Sequence, residues 1–214
     1  MLVSFLSSQF AFGQKMKNYE GVVNACLKAV KAFTDNGSRS ELEAASRELK
    51  TYTWSELILL DNDVHDAISL DGRMIFSTEY FDDVINKAAV YKTASEYLSG
   101  LRGASGGSTS LTTKGVRALG KVAYEYPLRG KCQVNVAIVA EATRNLNLKV
   151  TVINPQGQEL DLRDNYKETQ GLPFRKIENI QCSEIGNFSL IITVENKSDK
   201  PTSFACIVDV KKIL

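Results

Sequence analysis

At 214 residues, 43% of them hydrophobic and 24% charged, the chain has the composition of a globular protein with a core of its own, which excludes wholesale disorder. Its 26 Lys+Arg against 25 Asp+Glu leave a net charge of +1, a near-balance that supplies no electrostatic case for nucleic acid or an anionic membrane surface. Charge is uneven along the chain, with eight acids and one base over Glu56–Asp83 and six bases and one acid over Arg102–Lys131, a pattern that fits a solvated acidic face followed by a basic linker.

Residues 1–13 are apolar and end in small residues at Ala11 and Gly13, before Gln14 and Lys15. Small residues spaced in this way resemble the end of a secretory signal peptide cleaved after Gly13, and they set the expectation of an exported bacterial protein, periplasmic, at the cell surface or secreted. The basic start of such a peptide is missing, so an apolar N-terminus packed on the fold is the alternative. The segment is shorter than the roughly 20 residues that span a bilayer, and no other stretch qualifies as transmembrane.

From Asn18 the spacing is helical. Tyr19, Val22, Val23, Cys26, Leu27, Val30 and Phe33 fall on one stripe, and Asn36-Gly37 supplies a left-handed stop. Ser40 with Glu43 reads as a capping box ahead of Leu42, Ala45 and Leu49, so a helical hairpin is expected. Two apolar runs flank Asp71-Gly72, a dipeptide that suits a tight β-hairpin within residues 52–77. Ser77 or Thr78 then caps a helix running to about Leu98, with Glu79, Asp82 and Asp83 against its N-terminal dipole.

Gly100 to Lys114 is rich in Gly and Ser and reads as a flexible linker between a helical domain, 14–99, and a strand domain, 115–214. Beyond it the apolar residues recur every second position: Val122, Tyr124 and Tyr126; Val134, Val136, Ile138 and Ala140; Leu146, Leu148, Val150 and Val152. Phe188, Leu190, Ile192 and Val194 follow, then Phe204, Cys206, Val208 and Val210. Each strand is expected to bury one face and wet the other. Weaker strands near Glu159–Leu162 and Phe174–Ile180, with turns such as Asn154-Pro155-Gln156-Gly157, complete an α+β reading: an N-terminal helical domain followed by an antiparallel β-sandwich.

Tyr124–Pro127, Cys132–Val139, Leu146-Asn147-Leu148 leading to Asn154-Pro155-Gln156-Gly157, and Gly186-Asn187-Phe188 leading to Val194-Glu195-Asn196 carry a resemblance. Over roughly residues 115–214 the chain resembles the bacterial pre-peptidase C-terminal type of domain, a small secreted sandwich. The resemblance implies a jelly-roll-like fold and an accessory or binding role. Some relatives bind calcium through acidic loop residues, but Asn147 stands where the family pattern has Asp, so no metal or other cofactor is carried over.

No reactive constellation stands out. His65 is the only histidine, in Asp61-Asn62-Asp63-Val64-His65-Asp66, and Asp61, Asp63, Asp66 and His65 form a candidate acidic surface site. The spacing fails a calcium loop, since Asp66 holds the place of the required Gly and Gly72 that of the terminal Glu. Gly103-Ala104-Ser105-Gly106-Gly107 matches a nucleophile-elbow pattern but sits in the linker, with no downstream histidine. The four cysteines, Cys26, Cys132, Cys182 and Cys206, lack zinc spacing. A bridge between Cys132 and Cys206, or of Cys182 with either, is a candidate, and Cys26 reads as a buried thiol. Tyr52, Trp54 and Tyr80 are core anchors or, if exposed, a binding surface.

The expected role is therefore that of an exported, non-enzymatic module that binds a protein or glycan. Two other classes stay open: a glycan hydrolase built on Asp61, Asp63, Asp66 or Glu79, whose acids would have to lie about 5–10 Å apart, and an envelope assembly subunit.

Overall fold

The alternating C-terminal half becomes two antiparallel sheets in the computed structural model, which describes residues 19–34, 38–50, 57–60, 65–70, 74–77, 79–80, 108–141, 145–162, 166–183 and 186–213. Two helices lead, α1 (Tyr19–Thr34) and α2 (Arg39–Lys50). Two short strands follow, β1 (Ile58–Leu59) and β2 (Ala67–Ile68). The main strands are β3 (Ser108–Val116), β4 (Lys121–Arg129), β5 (Cys132–Ala140), β6 (Leu146–Ile153), β7 (Lys167–Gly171), β8 (Phe174–Cys182), β9 (Asn187–Asn196) and β10 (Thr202–Lys212). One sheet has the order β1-β4-β9-β6 and the other β2-β3-β10-β5-β8-β7. Successive strands from β3 to β6 alternate between the sheets, so most neighbours are distant in sequence.

The two sheets contribute to one apolar cluster. Val122, Tyr124, Leu148, Val152, Leu190 and Ile192 enter it from the four-stranded sheet, and Val134, Val136, Ile138, Phe204, Cys206 and Val208 from the six-stranded one. Every expected period-2 face turns inward in this way. The expectation that the opposite faces are all wet fails for β5 and β10, which are buried on both sides. Ala137, Val139, Ala205 and Ile207 form a second cluster with Val22, Val23, Cys26 and Val30 of α1 and Leu49 of α2. The helical stripe thus closes on the outer face of the six-stranded sheet. Lys176 of β8 fastens the start of α1, with its Nζ 2.8 Å from the Glu20 carboxylate and 5.6 Å from the Tyr19 ring centre.

Several expectations are corrected. Residues 108–114 of the supposed linker belong to β3, which pairs with β10 from Val116↔Thr202 to Ser108↔Val210; residues 100–107, Ser105 among them, lie outside the described residues. Ala67-Ile68 does not form a hairpin with Ile75-Phe76. It pairs with Val116 and Gly115 of β3, while residues 74–77 make a turn. Glu159–Leu162 contributes a single bridge, Ile153↔Glu159, and the charged edge strand β7 was not foreseen.

The box that starts α2 uses Ser38 and Glu41. The Ser38 N–H donates to the Glu41 carboxylate at 2.8 Å and the Glu41 N–H to Ser38 Oγ at 3.3 Å. Glu43 instead pairs with Arg47 one turn on, at 2.7 Å. Ser77 does act as a cap, accepting the Tyr80 N–H at 3.0 Å, and Tyr80 meets Phe33 edge-on at 5.7 Å. The helix expected to continue to Leu98 lies outside the described residues after Tyr80, as do the signal-like segment 1–13 and Asn36-Gly37. No helix among the described residues is long and apolar enough to cross a membrane.

Candidate functional site

The acidic turn does not gather a site among the described residues. Asp61 and Asp63 lie outside the described residues, with Tyr52 and Trp54. His65 is exposed on a turn. Asp66 is engaged structurally: its carboxylate accepts the Lys121 N–H at 2.8 Å and its carbonyl the Arg117 N–H at 2.9 Å. Asp66 therefore holds the β3–β4 turn from both sides. Glu79 is exposed on the turn that Ser77 caps, and among the described residues no three His, Cys, Asp or Glu converge as metal ligands.

The turn that Asp66 holds presents the most exposed large apolar side chain among those described. Leu119 is 73% exposed and its backbone sits at φ 53°, a left-handed conformation that costs a residue with a Cβ about 1–2 kcal/mol. A side chain that gains no burial carries that cost. The turn is held firmly nonetheless. The Leu119 N–H donates to the Ser198 carbonyl at 3.0 Å, joining it to the β9–β10 turn. Beneath both lies Asn196, 1% exposed, whose Nδ2 donates to the Arg117 and Lys200 carbonyls at 2.8 Å each and whose Oδ1 accepts from Ser198 N at 3.0 Å. The two joined turns also carry exposed Arg117, Lys121, Lys197, Asp199 and Lys200, with Lys197 ion-paired to Glu195. Contact between the side chain of Lys197 and Glu195, reinforced by Asn147, holds the Glu195 carboxyl below the usual range.

A buried polar group was missed in the sequence because it occupies the unexpected parity of β5 and β10. Asp209, 5% exposed, accepts from Thr109 Oγ1 at 2.7 Å and from Asn135 Nδ2 at 2.9 Å. Asn135 Oδ1 in turn accepts the Asn179 N–H at 2.9 Å, at a bulge where Asn179 takes φ 67°. The network satisfies a buried carboxylate and fixes the irregularity in the ladder.

All four cysteines are buried free thiols. The candidate bridge of Cys132 with Cys206 is corrected by register: Cys206 stands opposite Ile138, six residues along β5 from Cys132 and so about 20 Å away. Cys182 is equally remote from Cys206, because it stands directly opposite Cys132. The two facing side chains act on each other: Cys182 holds Cys132 below the usual thiol range, and Cys132 raises Cys182. Burial pushes the Cys206 thiol up to about 12 and raises Cys26 as well.

A shallow depression of about 250 Å³ opens beside the start of β9, lined by Pro127, Leu128, Arg129, Asn187, Phe188 and Ser189. No family model matches the chain, and no curated protein matches it in sequence.

Proposed function

We propose that this is an exported, non-enzymatic binding or accessory module, in which the two sheets form a jelly-roll-like sandwich of the pre-peptidase C-terminal type and the β3–β4 and β9–β10 turns make the contact surface. The exposed Leu119 on a left-handed backbone carries this reading. Backbone strain held in place by Asp66 and Asn196, without any gain in burial, is the kind of feature that persists where a side chain serves a partner. With Lys197 paired to Glu195, exposed Arg117, Lys121 and Lys200 outnumber Asp199 on the two turns, which favours a partner, protein or glycan, that offers an apolar spot within an acidic surround. The interleaving of strands between the sheets supports the jelly-roll assignment. Engagement of the Asp66 carboxylate by Lys121 N–H supports a structural rather than acid–base role for that residue.

The test places a photo-reactive residue at position 119 in the native host, with Lys149 on β6 as the control position, and fractionates the cells. A protein found outside the cytoplasm, with a discrete adduct from position 119 and none from 149, supports the reading. A cytoplasmic protein, or one that gives no adduct specific to 119, refutes it.

A further inference from the structure

We propose that Cys132 and Cys182 are the two halves of a cross-strand disulfide that closes when the chain folds in the presence of a disulfide oxidant. They begin β5 and end β8 and are opposite one another in the antiparallel ladder. Directly opposed residues have Cα atoms about 4.5 or 5.5 Å apart, depending on whether the pair exchanges hydrogen bonds. Both values lie within the roughly 4.4–6.8 Å that a disulfide spans. The Cα spacing is therefore already that of a disulfide, and both side chains point into the same buried cluster.

The remaining cysteines cannot compete. Cys26 belongs to the cluster under the helices and Cys206 to the cluster between the sheets, on opposite faces of the six-stranded sheet. The location also gives the bond something to do. The β5–β8 ladder loses register between Val134 and Val136, which leaves the three pairs from Cys132↔Cys182 to Val134↔Ile180 beyond the bulge. A covalent link there would add to the Asn135–Asn179 hydrogen bond in fixing the register beyond the bulge.

With oxidised glutathione as oxidant the step balances. One protein thiolate attacks a glutathione sulfur and displaces the first glutathione thiolate; the second protein thiolate attacks the mixed disulfide and displaces the other. One protein S–S bond forms and one glutathione S–S bond breaks. Two electrons pass to glutathione, and the two protein thiol protons end on the two released glutathiones. Both cysteines are fully buried in the finished fold, so the exchange takes place during folding and the bond is afterwards shielded from reductant.

The test refolds the full chain in a glutathione redox buffer and maps its peptides without reduction. The expected product is a linked Cys132–Cys182 peptide pair, with Cys26 and Cys206 as free thiols. In the wild type, oxidation is expected to raise the melting midpoint by about 10 °C. In a Cys132→Ser, Cys182→Ser double variant the midpoint should not respond to the redox buffer. Four free thiols in the folded oxidised sample, or a link that involves Cys26 or Cys206, would overturn the proposal. Because the oxidant is supplied, this outcome is independent of the exported reading, which the fractionation experiment tests separately.

Discussion

Asn196 and Asp209 are polar residues that the strand pattern hides, because each sits where alternation alone calls for either an apolar core residue or a wet one. Asn196 spends its whole amide on the two turns it joins, and Asn196→Ala would strand the Arg117 and Lys200 carbonyls. A loss of about 2–4 kcal/mol in urea unfolding is expected. Asp209→Ala leaves Asn135 and Thr109 without their acceptor and is expected to cost about 2–3 kcal/mol in the same measurement. Leu119→Gly should behave in the opposite sense. Removing the Cβ relieves the left-handed strain, so stability is kept or rises by up to about 1 kcal/mol, while the partner contact proposed for this side chain would be lost. Asn154, by contrast, was legible from the sequence. Its Oδ1 accepts from Gln156 N at 3.0 Å and Gln158 N at 2.8 Å, and Gly157 takes the φ of 81° that the Pro-x-Gly turn requires.

Among the elements, the strands that bury one face were readable because a half-wet strand writes its period into the sequence. β3 was not, since Ser, Thr and Lys fill most of it and what secures it is backbone pairing to β10 and β2. The doubly buried β5 and β10 did leave a signal in Ala137, Val139, Ala205 and Ile207, apolar residues in the second phase that mark a strand covered on both sides. Ile207→Ala should cost about 2–4 kcal/mol and accelerate amide exchange in α1 before β9, because Ile207 faces the helices. The start of α2 responds to pH through Glu41. Hydrogen bonds from the Ser38 N–H and hydroxyl lower its pKa, so the folded value lies below the unfolded one. The contribution is then present above the ordinary carboxylate range and is lost as the pH falls through the folded value. The protection factor of the Ser38 amide, its exchange relative to the intrinsic rate at the same pH, should fall on acidification, and Glu41→Gln should remove most of that dependence.

For the whole molecule, the change of period at the Gly-Ser stretch suggested two separate cores, but α1 and α2 share a cluster with the six-stranded sheet. Pattern alone could not reveal this, since a stripe and a face each announce burial without naming their partner. Residues 108–214 produced alone would expose Leu111, Val139 and Ile207. They are expected to bind a hydrophobic dye and to be less soluble than the full chain. The strand order has a further consequence in time. β10 is synthesised after every other strand described, yet it lies between β3 and β5, so those two have no common neighbour until Thr202–Lys212 has been made. A nascent chain halted before Thr202 lacks a central member of that sheet, and folding of the six-stranded layer waits until Thr202–Lys212 has been made. Such a non-local order makes for slow closure and a long interval in which unpaired edges and apolar faces stay open to aggregation.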